Sequence, residues 1–235
     1  RYIAVTGVQT CALPICLKMD DITVLVTGAG APGIKGTLFS LRKNFDNRNI
    51  RIIGTDVRKE VIGKYICDSF HIIPHSTEDN YLSDLKELCV KEDVDVIIPQ
   101  NTLELEKLSK NIGLFKENNI KITISNYESI QKANNKNCLL TIAKENNVPV
   151  PEFYLVDNGK DLLRFGRKLG WPDKPVVIKP PISNGMRGLR IINEKIDMKY
   201  DFYNNKPNGI VTKMNFISTI LGHSFDELLI MEYLP

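Results

Sequence analysis

The segment that most limits what this chain can become is Ile22–Thr27, ITVLVT, together with the glycines behind it. Every residue in that run is apolar or β-branched, with no polar alternation. Such a run suits a strand covered on both faces. Gly28-Ala-Gly30-Ala-Pro-Gly33-Ile-Lys-Gly36 follows at once, and helical spacing resumes around Lys35–Lys43. A buried strand that turns straight into a helix is the opening unit of a parallel α/β sheet.

The pattern then repeats. Ile50–Thr55 reads as a second strand ending at Asp56, Phe70–Ile73 as a third, and Val94–Pro99 as a fourth. Between them Tyr81–Lys91 has helical periodicity, with Leu82, Leu85, Leu88 and Cys89 on one face. Leu103–Leu114 reads as one more helix and Lys121–Ile124 as a strand. Residues 19–127 therefore read as a unit of βαβ type around a mostly parallel sheet, with a boundary near Ser125–Ser129.

Residues 128–235 follow a different order. Ser129–Asn147 reads as one helix, and Val148-Pro149-Val150-Pro151 forces an extended chain because each proline fixes φ. Phe153–Val156 is a strand, and Asp161–Leu169 a helix closed by Gly170. Pro175–Lys179 and Leu189–Ile192 are partner strands across a loop. Tyr200–Gly209 reads as a polar loop, Thr212 as the cap of a helix reaching about Gly222, and Leu228–Tyr233 as the last strand.

Composition excludes some classes. A net charge of +3 on 235 residues does not argue for nucleic acid or a membrane surface. No apolar run approaches the ~18–20 residues that span a bilayer. Five cysteines without CxxC pairs read as reduced thiols of a cytoplasmic protein. Arg1–Lys18 contains VQTCALPI, which looks like a translated sequencing adapter. It is expected to stand outside the fold, with a native start at Met19.

Two segments carry candidate chemistry. The Gly28–Gly36 turn has the context in which glycines admit a dinucleotide phosphate at a helix N-terminus, and Asp56 sits where a ribose-binding acid would be. A tight structural turn that binds no dinucleotide is the competing reading. The second segment is Val176-Val-Ile-Lys179-Pro-Pro-Ile-Ser183-Asn-Gly185-Met-Arg187-Gly188. A buried-strand pattern ending in a lysine is costly unless the ammonium meets an anion. The loop behind it can fold over a polyphosphate with its amides and Arg187. A polar hairpin with an edge lysine is the alternative.

The order of these features resembles the ATP-grasp superfamily, in the branch of the carbamoyl phosphate synthase large chain. TGAGAPG and VDVIIP are similar to its preceding Rossmann-like domain. Lys136 in NNKNCLL matches a basic residue of the entry helix, VVIKPPISNGMRGLRII the strand pair and loop over ATP, and LLIMEYLP the strand beside adenine. The resemblance implies an α/β fold: a Rossmann-like parallel-sheet domain, then the first, ATP-covering lobe of an ATP-grasp domain, truncated at Pro235.

It also implies roles. Lys136 and Lys179 would contact the α/β phosphates of ATP, and Ser183, Gly185, Arg187 and Gly188 the β/γ phosphates. Glu232, Tyr233 and Leu234 would face the adenine, partly through backbone. The parent protein would be an ATP-dependent ligase joining a small-molecule carboxylate to an amine or thiol through an acyl phosphate. Homodimerisation is a further expectation. Mg²⁺ would be held by acids beyond Pro235, so catalytic and metal residues are expected outside this chain, and the fragment is expected to be inactive alone. Asn101, Thr102 and Glu104 either border the substrate pocket or form a helix N-terminus. A nicotinamide-dependent oxidoreductase using Gly28–Gly33, and a non-catalytic nucleotide-binding module, remain the alternatives.

Overall fold

A computed structural model describes residues 21–206 and 209–235, so the expected extension Arg1–Lys18 lies outside the described residues. The chain divides into two compact units, one ending at Ile124 and one beginning at Ser125.

The first unit runs β1 (Ile22–Val26), α1 (Ile34–Arg42), β2 (Ile50–Asp56), a 3₁₀ turn (Ile62–Tyr65), β3 (Ser69–Ile72) and α2 (Tyr81–Lys91). It continues through β4 (Val96–Ile98), α3 (Thr102–Lys110), α4 (Ile112–Lys116) and β5 (Lys121–Ile122). All neighbouring strands are parallel, in the order β3-β2-β1-β4-β5. The central position of β1 explains its unbroken apolar run. Val24 and Val26 pack with Ile34, Leu38 and Ile52 on one face, and Leu25 packs with Ile53, Leu85 and Ile97 on the other.

The helix expected over Leu103–Leu114 is broken at Asn111. Its side chain donates to the Lys107 carbonyl at 2.8 Å and its backbone leaves helical geometry. Polar groups also tie the unit together. Arg51 pairs with Glu92, whose other oxygen lies 3.1 Å from His71 Nε2. The Arg51 guanidinium holds the Glu92 carboxyl below its usual range. A depressed carboxylate contributes stability above its unfolded pKa and loses it as pH falls through the folded value. Glu92→Gln is therefore expected to cost about 1 kcal/mol at pH 7. That difference should shrink in urea unfolding as pH falls below the ordinary glutamate range of about 4.3, and be lost once pH passes below the depressed folded value.

The second unit begins with α5 (Tyr127–Asn134) and α6 (Lys136–Glu145), followed by β6 (Phe153–Asn158), α7 (Gly159–Lys168), β7 (Val176–Lys179) and β8 (Arg190–Ile192). It ends with α8 (Met198–Asn204), β9 (Val211–Thr212), α9 (Met214–Leu221) and β10 (Ser224–Glu232). Its sheet has the order β6-β10-β7-β8-β9, antiparallel except for the β8–β9 pair. Val176, Ile178 and Ile230 turn one face of the sheet onto Leu162, Met214 and Ile217 from α7 and α9.

Three expectations change here. The single helix over Ser129–Asn147 is two helices, because Asn135 adopts extended geometry and caps α6 by accepting from the Asn137 and Cys138 amides. Part of the expected Tyr200–Gly209 loop is helical, since Asp197 caps α8 by accepting from Lys199 and Tyr200. Thr212 ends β9 rather than capping α9, and Glu194 accepts the Met214 amide at 2.8 Å instead. Cys67, Cys89 and Cys138 are free thiols. Burial pushes the Cys89 thiol up to about 12 and the Cys67 thiol up to about 11, so both are poor nucleophiles. Among the described residues no helix is long and apolar enough to cross a membrane.

Candidate functional site

The glycine turn of the first unit is occupied by its own chain. Gly28 has φ +58°, and the Gly30 amide donates to Asp56 Oδ2 at 2.7 Å. Arg58 pairs with Asp56 and reaches the Gly30 carbonyl at 3.3 Å. A Cβ at Gly30 would meet Arg58, Val61 and Asp56, all within 2.9 Å. The glycine is thus required by packing. The acid expected at a ribose instead accepts the turn's own amide.

Asn101 and Glu104 behave as a helix N-terminus. The Asn101 side chain accepts from Leu103, and Glu104 accepts the Asn101 amide at 3.0 Å, a capping box. Glu104 is only 3% exposed and also accepts from Thr27 Oγ1 and from the Tyr81 hydroxyl at 2.5 Å. Burial and the adjacent Glu104 charge push the Tyr81 phenol well above its usual value. Thr102 is exposed at the start of α3.

The second unit gathers most of the predicted cations. Lys179 ends β7 opposite Leu229, so its side chain leaves the sheet on the face away from Ile178 and the helical core. It is partly buried, and desolvation holds its ammonium below the usual lysine range. Among the described residues it has neither a hydrogen bond nor an ion pair. Lys136 is the first residue of α6, placed there by the Asn135 cap. Its pKa is lowered by desolvation first and by the Lys179 charge second, so two ammonium groups share one neighbourhood. Burying unpaired like charges is unfavourable unless an anion joins them.

The loop after Lys179 holds an unusual backbone. Gly185, Met186 and Gly188 have φ of +55°, +62° and +76°. A Cβ at Gly188 would come within 2.6 Å of the Pro180 ring, so glycine is needed there for space as well as for φ. Arg187 Nη1 donates to both the carbonyl and the side-chain oxygen of Asn184. Lys136 Nζ donates to Ser183 O at 2.9 Å, Ser183 Oγ at 3.1 Å and Pro181 O at 3.4 Å. Lys136, Lys179 and Ser183 are therefore drawn together, whereas Gly185, Arg187 and Gly188 lie on the exposed part of the loop.

The strand-end residues are arranged differently. Glu232 pairs with Val176 and Ile230 with Ile178, which puts Glu232 on the sheet face opposite Lys179. Its amide donates to Glu152 O at 2.9 Å, and its side chain is exposed. Tyr233 is half-buried and Leu234 exposed. Asn135, Asn184 and the Pro181 carbonyl stand in the motifs read from the sequence but were given no role there. Asn135 alone left a signal there: an asparagine just before a helical stretch is a standard cap.

A family model described as the PylC-like N-terminal domain matches residues 24–123. Over 96 residues the chain is 32% identical to the carbamoyl phosphate synthase arginine-specific large chain of Bacillus subtilis (strain 168), covering 41% of this chain and 9% of that protein. Among solved structures, N5-carboxyaminoimidazole synthetase from Staphylococcus aureus complexed with ADP aligns with a TM-score of 0.58 at 19% identity. That match covers 92% of this chain and 49% of the other. A biotin carboxylase complex from Campylobacter jejuni aligns with a TM-score of 0.56 at 15% identity, over 91% of this chain and 45% of the other. The structural likeness is one of fold, and the chain spans about half the length of these solved neighbours.

Proposed function

We propose, for a chain that belongs by fold to the ATP-grasp superfamily, that its second unit binds the phosphates of ATP for a carboxylate–amine or carboxylate–thiol ligase. The observation that carries this reading is Lys179. It is a partly buried cation without a partner among the described residues, next to a second depressed lysine and a glycine-bearing loop. A polyphosphate supplies the missing negative charge.

In this reading Lys136 and Lys179 bind the α/β phosphates, and Ser183, Gly185, Arg187 and Gly188 lie over the β/γ phosphates. Glu232, Tyr233 and Leu234 meet the adenine. The position of Glu232 favours backbone contact over side-chain charge. The substrate carboxylate would attack the γ-phosphate of ATP to give an acyl phosphate and ADP, and the amine or thiol would then attack the acyl carbon and displace phosphate. The loop cations hold charge and orient it; the substrate pair belongs to the whole ligase. Among the described residues no three His, Cys, Asp or Glu side chains converge on one point. Lys136, Lys179 and the loop suit the phosphates of ATP, and carboxylates of the whole ligase would hold the Mg²⁺ bound with them. Homodimerisation of the whole ligase belongs to the same reading.

Calorimetric titration of the 235-residue chain with MgADP and with NADH tests it. Saturable binding of MgADP and none of NADH is expected. Saturation by NADH alone, or no MgADP binding up to about 5 mM, would overturn the proposal.

A further inference from the structure

The three contacts of the Lys136 ammonium need an explanation that phosphate binding alone does not give. An ammonium has three protons to donate. In this structure they meet three oxygens of one short segment: Pro181 O, Ser183 O and Ser183 Oγ. The Lys136 amide also donates to Pro181 O, at 2.9 Å. Lys136 therefore grips the base of the loop with both its backbone and its side chain. Lys179, equally cationic and close by, makes no such contact among the described residues.

Other features of the loop suit a segment held from outside rather than by itself. Beyond Ser183 it has no strand pairing until Arg190. Its tip is exposed, and Met186, Gly185 and Gly188 occupy left-handed backbone. Among the described residues the Arg187 side chain donates only within the loop, to Asn184. Fixing such a segment costs conformational entropy, which the Lys136 contacts offset. A residue that spends every ammonium proton on the loop cannot also give all of them to a phosphate.

We infer that Lys136 has a second role as a clasp: in the nucleotide-free chain it holds the Pro181–Gly188 loop, and an arriving polyphosphate takes over part of its ammonium. Phosphate capture and loosening of the loop base are then one exchange. The division of labour is unequal. Lys179 is a pure anion receptor, and Lys136 couples the anion to the loop. This rests on the nucleotide-binding reading above, but the clasp half can be measured without nucleotide.

Hydrogen exchange of the peptide spanning 180–189 is followed in the full chain without nucleotide. Lys136→Met is expected to speed exchange there about tenfold, the loss of a hydrogen-bonded charged anchor. Lys179→Met should leave it within about twofold. Exchange in α7 and β10 serves as the internal reference for folding. If Lys136→Met raises exchange there too, Lys136→Arg, which keeps charge and donors, replaces it and should restore most of the loop protection. Loop exchange in Lys136→Met equal to wild type would overturn the clasp, as would failure of Lys136→Arg to restore protection or equal loosening by Lys179→Met.

A second arm adds MgADP to wild type. Changed exchange across 181–188 that is absent in Lys136→Met supports the exchange of partners; an unchanged pattern at saturating MgADP overturns it. If wild type binds no MgADP, the nucleotide reading fails and the exchange of partners fails with it, while the first arm still decides the clasp.

Discussion

Lys179→Met is expected to weaken MgADP binding roughly 100-fold. Loss of a charge-assisted contact to phosphate is worth about 2–3 kcal/mol, and each 1.4 kcal/mol is about tenfold in affinity. The effect should be large because the ammonium is partly buried, where its attraction to phosphate is little screened. Lys179→Arg should lose less, since it keeps the charge in a bulkier head group. Calorimetry with MgADP separates the three proteins. Binding by Lys179→Met within twofold of wild type would remove the observation on which the functional proposal stands.

The second large effect concerns stability. Glu104→Ala is expected to destabilise the first unit by about 3–4 kcal/mol. The carboxylate accepts from Thr27, Tyr81 and the Asn101 amide while almost fully buried. Removing it leaves buried donors unsatisfied and a small cavity beneath the end of α3. Tyr81→Phe, which deletes one donor and spares the others, should cost about 1 kcal/mol. Urea unfolding of the two variants tests the ratio. Similar losses in both would mean that the carboxylate is not the centre of the cluster.

The first unit was largely legible because its signal is redundant. A strand buried on both faces needs consecutive apolar residues, and ITVLV and IRIIGT supply them. What escaped the sequence are interruptions decided by single side chains. Asn111 and Asn135 each end one helix and start another. Hydrophobic spacing runs through such positions unchanged, so periodicity alone reports one helix. The α8 helix escaped for the opposite reason: it buries no residue, and only the Asp197 cap marks it.

The candidate site was legible in residue types more than in geometry. Lys179 stood out because a lysine closing an apolar strand is anomalous in any fold. The contacts of Lys136 with Pro181 and Ser183 join positions 45 and 47 residues apart, which no local pattern encodes. The face on which Glu232 lies depends on the β10 register, a property of pairing rather than of EYLP itself. Glu104 shows the reverse case, where a polar residue near a strand end proved to be structural support.

The unpaired Lys179 has one more consequence. A partly buried cation beside a like charge makes the empty chain less stable than its packing would permit. In the proposed reading, an anion bound beside them would relieve the repulsion between the two ammonium groups. If the proposed nucleotide binding holds, part of the affinity at this site comes from relief of that strain, and Lys179→Met should raise thermal stability while weakening MgADP binding.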